Sequence, residues 1–273
     1  VEPGFGPTTH GFSLCERFIK YKDYRLYRFL FYICEKIKMR YLFFFLFPLM
    51  LSYGQQKIEH QNQIWLGYYL TYPINSEWFV QGEVHERHFI NPNVYHQTAF
   101  RAHFHRTWGQ NWDVSAGAAI FLNTPNDERA TIRLAVPEYR PHFDIVYKHR
   151  WSRARIDHRF RTEMRFNRGT DDIRSRLTNE INFNNYRLRY RVQALFPLIK
   201  SMSGKVNTEI LLNAGQENPD NFLDQHRMFA GLSIPLLKNI TLDMGYLHVF
   251  QQRPNLNYYD RSILSFMLYH QLK

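Results

Sequence analysis

The sequence predicts an all-β protein: an up-and-down antiparallel transmembrane β-barrel of ten to twelve strands. Three observations predict it. The first is strict alternation. In RARIDHRFRTEMRF, residues 153–166, Arg153, Arg155, Asp157, Arg159, Arg161, Glu163 and Arg165 take every second position. Ala154, Ile156, His158, Phe160, Thr162, Met164 and Phe166 take the others. A strand sends successive side chains to opposite faces, so this segment has one ionic and one mostly apolar face. A membrane barrel turns the apolar face to lipid and the charge to the lumen. The second observation is length. Most candidate strands exceed the roughly 5–6 residues usual in globular proteins and suit the about 9–11 of a tilted membrane strand. The third is the basic residues. Residues 55–273 carry twenty-one arginines and six lysines. Arginine suits enclosed, multiply hydrogen-bonded ion pairs, whereas a freely solvated surface uses more lysine.

The elements follow in order. Candidate strands are 62–72, 77–89, 96–108, 111–122, 138–151, 153–167, 172–183, 186–197, 205–214, 223–235, 239–250 and 259–272. In AFRAHFHRTW, Arg101, His103 and His105 oppose Phe100, Ala102 and Phe104. In YRLRYRVQALF, Arg187, Arg189, Arg191 and Gln193 oppose Tyr186, Leu188, Tyr190, Val192 and Ala194. In NTEILLNAG, Asn207 and Glu209 oppose Thr208, Ile210 and Leu212. In TLDMGYLHVF, Thr241, Asp243 and Gly245 oppose Leu242, Met244 and Tyr246. The breaks carry turn residues: Pro73–Ser76, Asn91–Asn93, Gly109–Asn111, Asn184–Asn185, Asn218–Asn221 and Pro254–Asn257. Twelve strands would satisfy the even number usual in bacterial barrels. Short and long connections alternate, but the parity flips within 168–204, which widens the count to ten to twelve. Trp65, Tyr68, Tyr69, Tyr72 and Trp78 around the first hairpin, and Trp108 and Trp112 around another turn, are expected at the membrane interface.

The chain has 273 residues, a formal charge of +11, 17% aromatic residues and a mean hydropathy of −0.48. No stretch reaches the roughly 20 apolar residues of a spanning helix, which says nothing against spanning strands. Met39 opens MRYLFFFLFPLMLSYGQQ: one arginine, an apolar run from Tyr41 to Leu51, then Ser52 and Gly54 at small-residue positions. That order is a signal peptide cut after Gly54. The expected division is therefore an upstream extension at 1–38 from a misplaced start, a signal peptide at 39–54 and a barrel at 55–273. Both cysteines, Cys15 and Cys34, precede Met39. The barrel part has no cysteine, hence no disulfide framework or thiolate metal site.

With leader, length and Arg/Glu alternation in place, the chain resembles the uncharacterised small outer-membrane β-barrel family of Bacteroidetes, domain of unknown function 2490. The residues carrying the resemblance are WFVQGEVHERHF, DHRFRTEMRF, YRLRYRVQALFPL, DQHRMFAGLSIP and LDMGYLHVF, within about 57–273. The resemblance implies a fold and an outer-membrane location but no catalytic residues. It implies outer-membrane lipid and the barrel-assembly machinery as partners. One departure is the chain end, YHQLK, where such barrels commonly finish on an aromatic residue.

The sharpest candidate feature is a lumen ladder: Arg101, Asp144, Arg153, Arg155, Asp157, Arg159, Arg161, Glu163, Arg165, Arg187, Arg189, Arg191, Glu209 and Asp243. Two readings of it stand open. A cationic lumen selects anions or binds a small anionic solute. Alternatively the arginines pair with Glu83, Asp144, Asp157, Glu163, Glu209 and Asp243 to fill a narrow barrel. His85 with His88, or His103 with His105, would offer a ligand pair, but no closed set of three or four ligands is legible, so no metal or cofactor is expected. Ser115, Ser175, Ser233 and Ser265 lie outside any nucleophile motif, so the chain is read as a non-enzyme, with a lipid-modifying hydrolase as one alternative. The other alternative is a soluble periplasmic barrel binding an apolar ligand, whose lumen would be the Phe160/Met164 face. A nucleic-acid partner is not expected, because no binding motif accompanies the basic charge.

Overall fold

The computed structural model describes residues 57–199, 201–215, 222–253 and 257–272. The expected extension and signal peptide, and the turn at Asn218–Asn221, lie outside them. Eleven strands follow one another: β1 Ile58–Pro73, β2 Trp78–Phe89, β3 Val94–Trp108, β4 Trp112–Asn123, β5 Val136–Trp151, β6 Ala154–Thr170, β7 Leu177–Pro197, β8 Ser203–Ala214, β9 Leu223–Leu237, β10 Ile240–Gln252 and β11 Tyr258–Gln271. Each pairs with its successor, and β1 meets β11, so the sheet closes into an up-and-down barrel. All neighbours are antiparallel except β1 and β11, which run parallel. An odd count forces this: eleven reversing strands leave the last pointing the same way as the first.

Eleven falls within the expected ten to twelve, and the twelve candidate strands reduce by one. The expected strands 172–183 and 186–197 are one 21-residue strand, β7, and 172–176 belong to the loop before it. Asn184–Asn185 is not a turn. Arg165 faces Asn185 and Phe166 faces Phe183, so Asn184 is an extra residue in a β-bulge. Asn185 is buried among the interior side chains. With β7 unbroken the loop parity no longer flips. Connections at 74–77, 109–111, 152–153 and 238–239 lie at one end of the barrel, where β7 also ends and β8 begins. Those at 90–93, 124–135 and 171–176 lie at the other, where β8 and β10 end. The tightest turns have the backbone they need. Ser152, first of the two residues joining β5 to β6, has φ 55°, and Gly109 has φ 62°.

The faces are inverted relative to a water-soluble barrel. Phe160 and Met164 point outward, 43% and 45% exposed, while Arg161 on the same strand is 5% exposed. Leu66, Val84, Phe100, Phe104, Ile120, Phe143, Tyr190, Ile210 and Leu264 extend this outward apolar belt around the barrel. The apolar lumen expected of a soluble carrier is not formed. Trp108 and Trp151 (74% and 70% exposed), with Trp112 and Tyr72, gather at the tight-turn end. Two of the expected interface aromatics are corrected: Trp65, 6% exposed, and Tyr69 point inward on β1 and line the lumen. Trp65 packs there with Leu247, Val249 and Ile263, making a small apolar patch on the β1/β10/β11 wall. The opposite wall, β5 to β8, is ionic.

Candidate functional site

The interior is assembled by period-2 alternation and register. Asp144 on β5 stands opposite Arg161 on β6, Arg161 opposite Arg189 on β7, and Arg191 opposite Glu209 on β8. Two like-charged pairs lie directly across the β6–β7 ladder, Arg159 with Arg191 and Arg161 with Arg189. Such pairs destabilise a sheet unless carboxylates intervene. Here they do. Arg161 donates through Nε and Nη2 to the two oxygens of Asp144 at 2.6 and 2.7 Å. Arg189 donates to Glu163 at 2.6 Å and to Glu209 at 2.9 and 3.0 Å. Arg159 donates to the same Glu209 at 2.6 Å. Bidentate contacts of this kind are the strong form of the ion pair.

The predicted ladder residues fall as follows. Arg101 donates to Glu83 at 2.6 Å. Arg165 bonds Glu138, and Lys205 bonds Asp243. Arg187 meets Asp224 at 2.8 Å. Arg191 lines the lumen with no carboxylate within ion-pair distance among the described residues. Arg155 and Asp157, 3.1 Å apart, sit near the mouth, Arg155 half-exposed and Asp157 buried. Arg153 is corrected: it occupies the exposed two-residue turn between β5 and β6, because the strand begins at Ala154.

Several interior residues escaped the sequence reading. Glu138, Arg140 and His142 share the parity of Asp144 on β5, and Arg140 donates to Glu138 at 2.9 and 2.7 Å. The same i, i+2 spacing within the expected strand 138–151 could have found them. Pro141 interrupts the pairing: the β5–β6 ladder skips Arg140 and Pro141. Arg87, Asp224, Arg227 and Arg261 were missed as well, each isolated among uncharged neighbours of its own parity.

Two chambers stand out in the lumen among the described residues. One, of about 560 Å³, opens toward the tight-turn end and includes Tyr69, Glu83, Asp144, Arg159, Glu209 and Asp243 in its wall. The other, of about 400 Å³, lies toward the long loops and includes Glu138, Arg165, Arg187, Asp224 and Arg261. Five residues line both: Trp65, Arg87, Arg101, Arg189 and Arg227. This shared waist is four guanidiniums and one indole. Arg87 lies 3.7 Å over the Trp65 ring, and Arg227 5.6 Å from it. Arg87 has no carboxylate partner among the described residues, and its Nε is buried without a hydrogen bond. Of the four, only Arg101 and Arg189 are held by carboxylates within 3 Å; Arg227 Nη1 stands 3.7 Å from Glu209.

Of the two expected histidine pairs, the first separates. His85 points inward beside Glu83 at 3.3 Å, whereas His88 points outward beside Glu86 at 2.9 Å, because three residues of strand reverse the face. His103 and His105 share the inner face, His105 bonding Asp113 at 2.9 Å. His103 instead meets His142 and Asp144 from β5. Of the four candidate serines, Ser115 Oγ donates to Asp144 at 3.4 Å and Ser175 Oγ to Asp171 at 2.6 Å.

The profile of a family described as a protein of unknown function, DUF2490, matches residues 62–260, from within β1 to within β11. A solved structure titled "NanC porin structure in rhombohedral crystal form" is similar at 11% identity and a TM-score of 0.44, over 72% of this chain and 90% of that one. No curated protein matches the chain.

Proposed function

Because the chain belongs to the DUF2490 family, whose members are described as proteins of unknown function, we propose from its own geometry that it is an outer-membrane β-barrel with a narrow, anion-selective lumen. The outward apolar belt supports the membrane part. Phenylalanine, leucine and valine facing water around a whole barrel would be a large exposed apolar patch, which soluble monomers avoid. Turned to lipid, the same belt is what a spanning barrel needs. The tight turns, with their tryptophans, then face the periplasm, and the longer loops face outward.

The observation that carries the anion preference is the waist between the two chambers. Anything crossing the lumen passes Arg87, Arg101, Arg189 and Arg227. Rings of guanidinium groups favour anions and oppose cations. The balance of charge agrees. The buried carboxylates Glu83, Glu138, Asp144, Glu163, Glu209 and Asp224 each have an arginine within ion-pair distance. Arg87, Arg191 and Arg261 have no carboxylate partner among the described residues, so the surplus is positive.

The test is conductance of the purified full chain in planar bilayers under a potassium chloride gradient. The reversal potential should show chloride preferred over potassium. Arg87→Glu should reduce or reverse that preference while leaving a conducting, heat-modifiable barrel. A wild type that inserts but never conducts would favour the second reading, a barrel filled by its own ion pairs. The bidentate Arg161–Asp144 and Arg189–Glu209 contacts support that reading.

A further inference from the structure

Strands β3, β4 and β5 place His103, Gly117 and His142 on one rung: His103 faces Gly117, and Gly117 faces His142. Two imidazoles flanking an ordinary residue would be held apart by its side chain. Gly117 has none. A Cβ there would stand 2.9 Å from His142 Nε2 and 3.1 Å from His103 Cα, and would strike the Ala102 carbonyl oxygen. The rings meet over the glycine, with His103 Nδ1 and His142 Nε2 only 3.1 Å apart.

The outer nitrogen of His142 fixes what lies between. His142 Nδ1 is 3.1 Å from the Arg140 carbonyl oxygen, within the gap that Pro141 leaves in the ladder. A carbonyl only accepts, so Nδ1 carries the hydrogen and Nε2 is a bare lone pair. His103 Nε2 stands 3.2 Å from Glu83 Oε1 but out of line for a hydrogen bond, and Glu83 is held by Arg101. As the pair stands, His103 Nδ1 therefore supplies the hydrogen of the 3.1 Å contact to His142 Nε2. A cation in that place needs the hydrogen moved to His103 Nε2, toward Glu83, which leaves both facing nitrogens as lone pairs. The third group is Asp144, whose Oδ2 is 3.9 Å from His103 Nδ1. Ligand atoms of all three residues lie within 4.8 Å of one another, and all three are buried.

We propose that His103 Nδ1, His142 Nε2 and Asp144 Oδ2 form a site for a divalent transition metal of the zinc class. Two nitrogens about 2.0–2.1 Å from one tetrahedral ion stand roughly 3.3 Å apart, close to the spacing here. His142 already has the backbone carbonyl that orients a metal-bound imidazole, and the Glu83 carboxylate, 3.2 Å from His103 Nε2, is placed to become the partner of the other ring. Asp144 Oδ2 accepts from Arg161 at 2.7 Å and, at 3.4 Å, from the Ser115 hydroxyl, the longer contact being the one a metal would displace. His103 and Asp144 border the larger chamber, so a fourth position is open to water or a small anion. Imidazole with carboxylate suits zinc, copper(II) or nickel rather than magnesium or calcium. The site adjoins the arginine waist through Glu83, which Arg101 also holds.

The test uses the full chain, untagged and in detergent, dialysed against zinc chloride with bound metal counted by mass spectrometry. Wild type should retain one zinc per chain, and cobalt(II) in its place should give visible tetrahedral absorption. His103→Ala, His142→Ala and Gly117→Ala should each weaken binding at least tenfold. His105→Ala, on the same face but engaged with Asp113, should not. A boiled-versus-unboiled gel shift checks that each variant is a barrel, and His103→Asn and His142→Gln replace any alanine variant that is not. Wild type without stoichiometric zinc, or zinc kept by the His103 and His142 variants, overturns the proposal; the pair then shares a proton.

Discussion

Glu138 is 1% exposed and accepts hydrogen bonds from Arg140, Arg165 and Asn123. Its negative charge holds two guanidiniums that line the long-loop chamber. Glu138→Gln keeps the shape and removes the charge. Breaking a buried pair in this way costs about 3–5 kcal/mol, because the surviving charge is left uncompensated. We expect a lower urea midpoint for loss of the heat-resistant gel form. A loss of under ~1 kcal/mol would mean that water screens this part of the lumen as it screens a surface pair. At this scale the sequence is partly legible. The alternation that places Asp144 inside places Glu138, Arg140 and His142 inside by the same parity. Which arginine each carboxylate takes is not legible, because partners such as Arg159 and Glu209 come from strands fifty residues apart.

The β6–β7 connection joins an element that the sequence reads well to one that it divides. Residues 153–167 alternate without interruption and, from Ala154 on, become β6. The next strand carries Asn184–Asn185, a turn signal by composition, and the chain runs straight through it with a bulge. Asparagine tolerates turns and bulges alike, and only the partner strand decides between them. The real turn is 171–176, organised by Asp171. Its carboxylate accepts hydrogen bonds from the Ser175 hydroxyl and from the Ser175 and Arg176 amides. The Ser175 hydroxyl, first, and these amides hold the Asp171 carboxyl below the usual aspartate range. The sign follows. A carboxyl lowered on folding supports the loop above its ordinary titration, and that support disappears as the pH falls through the lowered value. A carbon-13 titration of Asp171 should therefore show a midpoint below that of an ordinary aspartate. Ser175→Ala should move it upward, and an unmoved midpoint would remove the hydroxyl as the cause.

For the whole molecule, the decisive property is which face meets which medium. The apolar belt outside and the ionic lumen inside predict a membrane-extracted protein whose gel mobility differs between boiled and unboiled samples. Release into the soluble fraction without detergent would refute the lipid-facing assignment. The sequence by itself determined the strands, their two faces and the residues that share each face, because a period of two is written locally. Its expectation of an ionic interior rested on strand length and the preference for arginine, since alternation alone is the same read from either side. The tertiary structure decided which face is the interior, together with the count of eleven, the parallel β1–β11 closure and the bulge in β7. It alone brought His103 to His142 across Gly117 and four arginines to one waist. These are consequences of register and closure, which join residues distant in the chain, and no local pattern encodes such distances.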